Sequence, residues 1–199
     1  APCTISVNIS PVQINHFDFF TTLSSVLKET GLPPKYLELE LTESALVHSL
    51  MDTATLIKKL QDIGVKIALD DFGTGYSNLG YLKQMDVDEI KIDRVFVSGI
   101  EKDSYNHKLI SNVIEFAKGN AIRNCCEGVE STRELVTLER LFPDIIQGYL
   151  FDKPNTAEMI EKTYIHSSSN EFVQRSEFVN KLFELKEKMG VVHFDPKDI

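Results

Sequence analysis

Short runs in which apolar and polar residues alternate recur along most of the chain. They lie at residues 4–9, 36–41, 65–70, 88–93, 121–126 and around 145–147, and this period of two predicts β-strands. Stretches with helical spacing lie between them, at residues 17–30, 52–63, 78–85, 105–119 and 132–142. Strands that alternate with helices predict a parallel sheet with crossover helices, so the fold class is α/β, as either a barrel or an open doubly wound sheet.

The phase of the polar residues within these strands favours the barrel. In residues 37–41 the leucines share one face and the glutamates the other, and Asp70 lies opposite Ile67 and Leu69. A strand covered by helices on both faces is apolar on both, whereas a barrel strand turns aliphatic residues outward and polar residues inward. The polar residues stand near the carboxyl ends of their strands, where barrel active sites are built. We therefore expect a (β/α) barrel with a site at its mouth.

The pattern changes after Pro154. Residues 155–166 predict one more helix, and residues 171–189 predict an amphipathic, charge-rich helix. We expect a barrel domain over residues 1–154, its last helix over 155–166, and a helical linker toward a further domain, or a dimerisation helix, over 167–199.

Composition and charge restrict the partners. The formal net charge of −9 gives no basic surface for a nucleic-acid polymer, although metal ions allow an acidic protein to bind a small phosphate ester. The cysteines are three in number, and two of them, Cys125 and Cys126, are adjacent, which is poor geometry for disulfides and predicts a cytoplasmic setting. No apolar run approaches the roughly 18 residues that span a bilayer, so any membrane anchor would belong to other domains of the parent protein.

Oxygen-donor side chains at the strand ends are the candidate chemistry. We expect five of them to converge at the barrel mouth beside Lys91: Asn8, Glu40, Asp70, Asp71 and Glu127. Hard divalent cations such as Mg²⁺ or Mn²⁺ prefer oxygen ligands and would relieve the repulsion among the carboxylates. A pair of such ions would clamp a phosphodiester, with Asp70 bridging the two ions and Asp71 turning out into the following loop.

Six segments, in order, resemble the signature motifs of the EAL phosphodiesterase family. They are residues 6–10 (SVNIS), 38–44 (ELELTES), 70–77 (DDFGTGYS), 90–93 (IKID), 127–130 (EGVE) and 147–149 (QGY). The resemblance covers about residues 4–154. It implies a (β/α)8 TIM-like barrel, here missing about the first two strands. It also implies binding of cyclic di-GMP, hydrolysis to linear pGpG with two Mg²⁺ or Mn²⁺ ions, and inhibition by Ca²⁺.

The resemblance also implies roles for individual residues. Asn8, Glu40 and Asp70 would hold one metal ion, and Asp70, Asp71 and Glu127 would contribute to the second. Lys91 would contact the nucleophilic water or the phosphate, Glu127 is a candidate general base, and Gln147 would position water or substrate. The remaining assignments are substrate contacts at Asp93, Gln147 and Pro154, a tether of the 71–77 loop at Glu43, and structural support from Gly73, Thr74, Gly75, Tyr76, Ser77 and Glu130.

Two functions remain open from the sequence. In the family, two further strands, which carry the Glu-Ala-Leu segment and a phosphate-binding Arg, are expected before residue 1, so we expect the chain alone to be impaired as an enzyme. The first hypothesis is a phosphodiesterase in the parent protein, which is expected to be a homodimer with other sensory or cyclase domains. The alternative is a catalytically inactive cyclic di-GMP receptor or protein-interaction module. The intact carboxylates favour the enzyme, because a receptor has no need for a cluster of like charges.

Overall fold

Six parallel strands form the frame of the protein. The computed structural model describes residues 4–16, 18–43, 50–74, 86–160 and 162–163. The strands are β1 (Ile5–Ile9), β2 (Leu37–Thr42), β3 (Lys66–Phe72), β4 (Glu89–Ile92), β5 (Arg123–Cys126) and β6 (Ile145–Ile146). They lie side by side in chain order, and each pairs in parallel with the next.

Helices follow the strands along the chain, and the last one comes after β6. In the described residues they are α1 (Pro11–Ile14), α2 (Phe19–Thr30), α3 (Leu50–Asp62), α4 (Arg94–Val97), α5 (Ser104–Gly119), α6 (Thr132–Glu139) and α7 (Ala157–Ile160), and a 3₁₀ turn spans Pro34–Tyr36. All six predicted strands are present, and the predicted α/β class is confirmed. The short helices α1 and α4 were not predicted, because a four-residue helix is too short to show a helical period. The helices predicted at residues 78–85 and 171–189 lie outside the described residues.

Local sequence signals explain where the longer helices begin and end. Asp103 caps α5 by accepting hydrogen bonds from the backbone N–H groups of Tyr105 and Asn106. Ser131 and Glu134 form a capping box at the start of α6. Gly31 ends α2 with a φ of 69°, which is the left-handed conformation that glycine adopts without strain.

The hydrophobic core lies between the outer face of the sheet and the helices. On β2, β3 and β4 the outward residues are buried, including Leu39, Leu41, Ile67, Leu69, Ile90 and Ile92. They share this core with apolar residues of α3, α5 and α6, among them Leu60, Ile110 and Leu138. Burial of each such side chain stabilises the fold by about 1.5–3 kcal/mol. The core therefore uses the outer face of β2, β3 and β4, whose inner face carries polar groups.

The sheet is open in the described residues. β1 pairs only with β2, and β6 pairs only with β5. The apolar side chains of Ile5 and Val7 on β1 are 54% and 39% exposed.

The chain divides into two units, Ala1–Asp152 and Lys153–Ile199. The predicted assignments of residues 155–166 to the barrel and of 167–199 to a linker stay predictions, because the second unit is described only around α7. In the part of the chain that the structure describes, no helix combines the length and the apolar character that a membrane span requires.

Candidate functional site

Strand register brings the predicted polar residues to one rim of the sheet. Asn8 of β1 is the direct partner of Glu40 in β2, and Thr42 of β2 is the partner of Asp70 in β3. Partners in a parallel pair point to the same face, so these side chains share the inner face. Lys91 of β4 and Glu127, just after β5, complete the group. We call Asn8, Glu40, Asp70, Lys91 and Glu127 the rim cluster.

Lys91 is the electrostatic centre of the rim cluster. Its Nζ lies 2.7 Å from Glu40 Oε1 and 2.8 Å from Glu127 Oε1, and 3.5 Å from Asp70 Oδ1. Burial lowers the pKa of Lys91, but hydrogen bonds to Glu127 and Glu40 outweigh it and raise that pKa overall. The ammonium group therefore keeps its proton at neutral pH and links β4 by charge to β2, β3 and the end of β5.

The carboxyl group of Glu127 holds protons more tightly than an ordinary glutamate. Burial raises the pKa of Glu127, and the hydrogen bond with Lys91 opposes that shift without cancelling it. A raised carboxyl pKa is suited to proton transfer near neutral pH.

The rim cluster suits a hard divalent cation. Its donors are oxygen atoms of carboxylates and of one amide, the ligand type that Mg²⁺, Mn²⁺ and Ca²⁺ prefer. Asp70 Oδ1 is buried and has no hydrogen-bond partner. The Asn8 amide, assigned by its hydrogen bonds, directs its nitrogen toward Asp70 Oδ2 and Glu40 Oε2, 3.3 Å from each. Rotation of the Asn8 amide group by half a turn would place its carbonyl oxygen beside Asp70 Oδ2 and Glu40 Oε2. These three oxygen atoms could then bind one cation together.

The Lys91 ammonium group occupies the place among the carboxylates where a cation would bind. Within the described ranges, no three Asp, Glu, His or Cys side chains form a preformed metal-ligand cluster. The Lys91 ammonium group stands among Glu40, Asp70 and Glu127. Cation binding at this rim would therefore require the Lys91 side chain to move relative to these carboxylates.

A β-bulge places Asp71, and this differs from the expected geometry. The register of β3 against β4 shifts between Leu69 and Phe72, so Asp70 and Asp71 together oppose Lys91. Asp71 remains within the strand, with a φ of 54°, whereas we expected it to turn out into the loop. The bulge reverses the phase, so that Phe72 joins the buried outer face.

Asp71 faces a second carboxyl group. Burial and the charge of Asp70 raise the pKa of Asp71, as does a side-chain hydrogen bond with Asp93. Asp93 in turn caps α4, because its Oδ1 accepts a hydrogen bond of 2.7 Å from the N–H of Val95. Asp93 therefore lies beside the Asp70–Asp71 bulge, although it is not part of the rim cluster.

The other predicted site residues are more scattered. Gly73 has a φ of 99°, and a Cβ at this position would lie 2.6 Å from the Phe96 ring, so only glycine fits there. Thr74 closes the turn by donating a 2.9 Å hydrogen bond to the Asp71 carbonyl. Glu43 is half-buried, whereas Gln147, Glu130 and Pro154 are exposed. Pro154 belongs to the second unit, and Gly75, Tyr76 and Ser77 lie outside the described residues, so the proposed tether between Glu43 and the 71–77 loop stays a prediction.

Sequence reasoning missed a second layer of inward polar residues. It lies one step nearer the amino ends of the strands and consists of Ser6, Glu38, Glu89 and Arg123, which we call the lower cluster. Arg123 contacts Glu38 Oε2 at 2.7 Å and Glu89 Oε2 at 2.9 Å, and Ser6 Oγ donates to Glu38 Oε1 at 2.9 Å. The signal was present, since three of these residues precede a rim residue by two positions.

Comparisons with known proteins agree with this architecture. The model of the EAL domain family matches residues 1–154. The chain is 32% identical over 158 residues to the cyclic di-GMP phosphodiesterase NbdA of Pseudomonas aeruginosa, a match that covers 79% of this chain and 20% of NbdA. The chain spans about a quarter or less of the length of the curated relatives it matches.

Solved structures show the same fold. The phosphodiesterase MucR of P. aeruginosa in complex with c-di-GMP is 34% identical and superposes with a TM-score of 0.75 over 79% of this chain and 64% of that one. A manganese and cyclic di-GMP complex of Klebsiella pneumoniae BlrP1 is 29% identical, with a TM-score of 0.73 over 77% of this chain and 40% of that one. A second BlrP1 structure contains calcium. The predicted TIM-like barrel fold is thereby confirmed, with a sheet that does not close in the described residues.

Three comparisons therefore identify the same family: the family model over residues 1–154, the curated relatives and the solved structures. The chain belongs to the EAL domain family, whose named relatives include cyclic di-GMP phosphodiesterases.

Proposed function

We propose that this chain forms the catalytic rim of a phosphodiesterase that hydrolyses cyclic di-GMP to linear pGpG with two Mg²⁺ or Mn²⁺ ions. The observation that carries the proposal is the rim cluster, in which Glu40, Asp70 and Glu127 from three strands surround one lysine. The names of the EAL relatives support the substrate. The manganese and calcium complexes of BlrP1 support a divalent cation.

The residues that would hold the cations are those at the rim and the bulge. Asn8, Glu40 and Asp70 would hold one ion, and Asp70, Asp71 and Glu127 the other. When bound, such ions lower the pKa of a coordinated water and neutralise charge on the phosphodiester. We expect Ca²⁺ to inhibit, because it tolerates longer and less regular coordination than Mg²⁺.

Side chains of this chain would orient the substrate and the attacking water and would accept a proton. Lys91 stays charged and donates hydrogen bonds, so it would orient a phosphate oxygen or the attacking water. Glu127 lies 2.8 Å from Lys91 Nζ and has a raised pKa, so its carboxylate would accept a proton from water. Gln147 and Asp93 would contact the substrate beside the rim. We also propose a homodimer within a longer protein with sensory or cyclase domains, as in the relative named bifunctional diguanylate cyclase/phosphodiesterase MucR.

Asp70→Asn is the direct test. The full-length protein should convert cyclic di-GMP to pGpG in Mg²⁺ or Mn²⁺, measured by separation of the nucleotides. The substitution keeps the shape of the side chain and removes the charge that both ions would share, so turnover should fall by more than about 1,000-fold. The matched control is Asp62→Asn on α3, whose side chain is exposed and pairs only with Lys58 in the described residues; it should leave turnover unchanged.

The outcomes separate enzyme from receptor. Turnover within about threefold of wild type in Asp70→Asn would refute the role of Asp70 at the metal site. Binding of cyclic di-GMP by the wild-type protein without any pGpG would support the receptor instead.

A further inference from the structure

The lower cluster connects strands that are not neighbours. Arg123 extends from β5 and reaches Glu89 on the adjacent β4 and Glu38 on β2, which lies 85 positions away in the sequence. On β3, which lies between them, the inward positions at this level are Lys66, the register partner of Glu38, and Ala68, which is fully buried and is the register partner of both Glu40 and Glu89. The small side chain of Ala68 leaves room for the guanidinium group to cross β3.

Three strands of the lower cluster, β1, β2 and β4, also carry a residue of the rim cluster, and Glu127 directly follows the fourth, β5. Glu38 precedes Glu40 by two positions on β2, and Glu89 precedes Lys91 by two positions on β4. Successive inward side chains on one strand are fixed to the same backbone, about 6–7 Å apart. A contact that fixes the separation of β2, β4 and β5 at the lower level therefore also fixes it at the rim.

Charge gives Arg123 a second effect on the rim. The carboxylates of Glu38 and Glu89 are each only 5% exposed, and Arg123 is the cation that contacts both. Without the guanidinium group, these two buried carboxylates would repel each other and disturb the spacing of β2 and β4.

We propose that Arg123 is a positioning residue for the rim cluster: it binds Glu38 and Glu89 and fixes the spacing of β2, β4 and β5, and with it the spacing of the rim carboxylates. The inference rests on the proposed function, since the consequence of misplacement is weaker cation binding and slower hydrolysis. Arg123 touches neither the cation nor the substrate. Its planar fork suits two carboxylates at once, which a lysine ammonium group matches less well.

The test compares Arg123→Met with Arg123→Lys and with the control Arg133→Met, an exposed arginine on α6, in the full-length protein. Mn²⁺ affinity is measured from the EPR signal of free Mn²⁺, and kcat and KM for cyclic di-GMP are measured separately. Loss of a residue that orients metal ligands lowers metal affinity or activity by about 10–100-fold. Because Arg123 acts through the strands, we expect Arg123→Met to weaken Mn²⁺ binding and lower kcat by about 10-fold, with KM changed by less than about threefold.

Arg123→Lys should recover part of both losses, because it retains the positive charge, and Arg133→Met should match wild type. A merely structural role would lower the melting temperature of Arg123→Met but leave Mn²⁺ affinity and kcat unchanged below that temperature. That result, in a wild-type protein that binds Mn²⁺ and turns over, would overturn the inference and leave the proposed function intact. A wild-type protein without Mn²⁺ binding or turnover would overturn both.

A triple variant tests the same inference if Arg123→Met does not fold. Glu38→Gln, Glu89→Gln and Arg123→Met together remove the buried charges, so no carboxylate is left unpaired. Circular dichroism establishes that the triple variant is folded. It should show the same weakened Mn²⁺ binding, and wild-type affinity in this variant would refute the positioning role.

Discussion

Replacing Glu89 by glutamine tests the electrostatics of the lower cluster. Burial, together with the charge of Glu38, raises the pKa of Glu89 from 4.5 to about 7. Arg123 opposes this effect without cancelling it, since its guanidinium group is shared with Glu38. Glutamine has nearly the same shape and keeps an acceptor for Arg123, so the substitution removes mainly the charge.

The direction of the effect follows from proton binding. Between pH 4.5 and about 7, the unfolded chain has released the Glu89 proton and the folded protein retains it. The free energy of unfolding of the wild-type protein therefore falls as the pH rises through this window. One pKa unit corresponds to about 1.4 kcal/mol, which sets an upper limit of about 3 kcal/mol. The Arg123 side chain is 41% exposed, so solvent screens the cluster and we expect about 1–2 kcal/mol.

Urea denaturation of both proteins at pH 4 and pH 8, in a chelator so that metal binding adds no pH dependence, measures this difference. Glu89→Gln should be more stable than wild type by about 1–2 kcal/mol at pH 8 and within about 0.5 kcal/mol of it at pH 4. The control is Glu115→Gln at an exposed position of α5, which should follow the wild type at both pH values. If Glu89→Gln is less stable than wild type at pH 8, the ion pair with Arg123 outweighs burial and the reasoning is wrong.

Two further substitutions test the loops that support the rim. A Cβ on Gly148 would collide with the backbone N and O of Val129, so Gly148→Ala should lower the free energy of unfolding by about 3 kcal/mol. The control Gly119→Ala should be nearly neutral, because a Cβ at that position meets nothing within 4 Å. Equal melting temperatures of the two variants would contradict this account of the packing. Burial would raise the pKa of Glu134, but three backbone N–H groups that donate to its carboxylate lower it overall. Glu134→Gln should therefore cost about 1–3 kcal/mol at pH 7, and the difference should shrink as the pH falls from about 4.5 through that lowered pKa, as denaturation at several pH values will show.

The rim cluster was predictable because its residues obey a local rule. Period-two alternation shows which face of a strand is apolar, and Glu40 and Lys91 stand on the polar phase near the ends of their strands. The lower cluster obeys the same alternation but was missed, since the phase shows that Glu38 and Glu89 point inward and does not show what they meet. Arg123 lies in a segment that otherwise packs as core, so its partner on β2 becomes visible only when the strands are placed side by side.

The β-bulge at Asp70 and Asp71 is a feature that the period-two alternation did not predict. Strict alternation puts Asp70 and Phe72 on the same face, but the left-handed conformation of Asp71 moves Phe72 to the buried outer face beside Ile92. The sequence by itself determined the α/β order, the inward phase and the acidic character of the rim, because these depend on neighbours within one strand or helix. Only the tertiary structure decided that Lys91 lies among the carboxylates and that Arg123 crosses β3 to Glu38, because strand order and register set the distances between residues far apart in the chain.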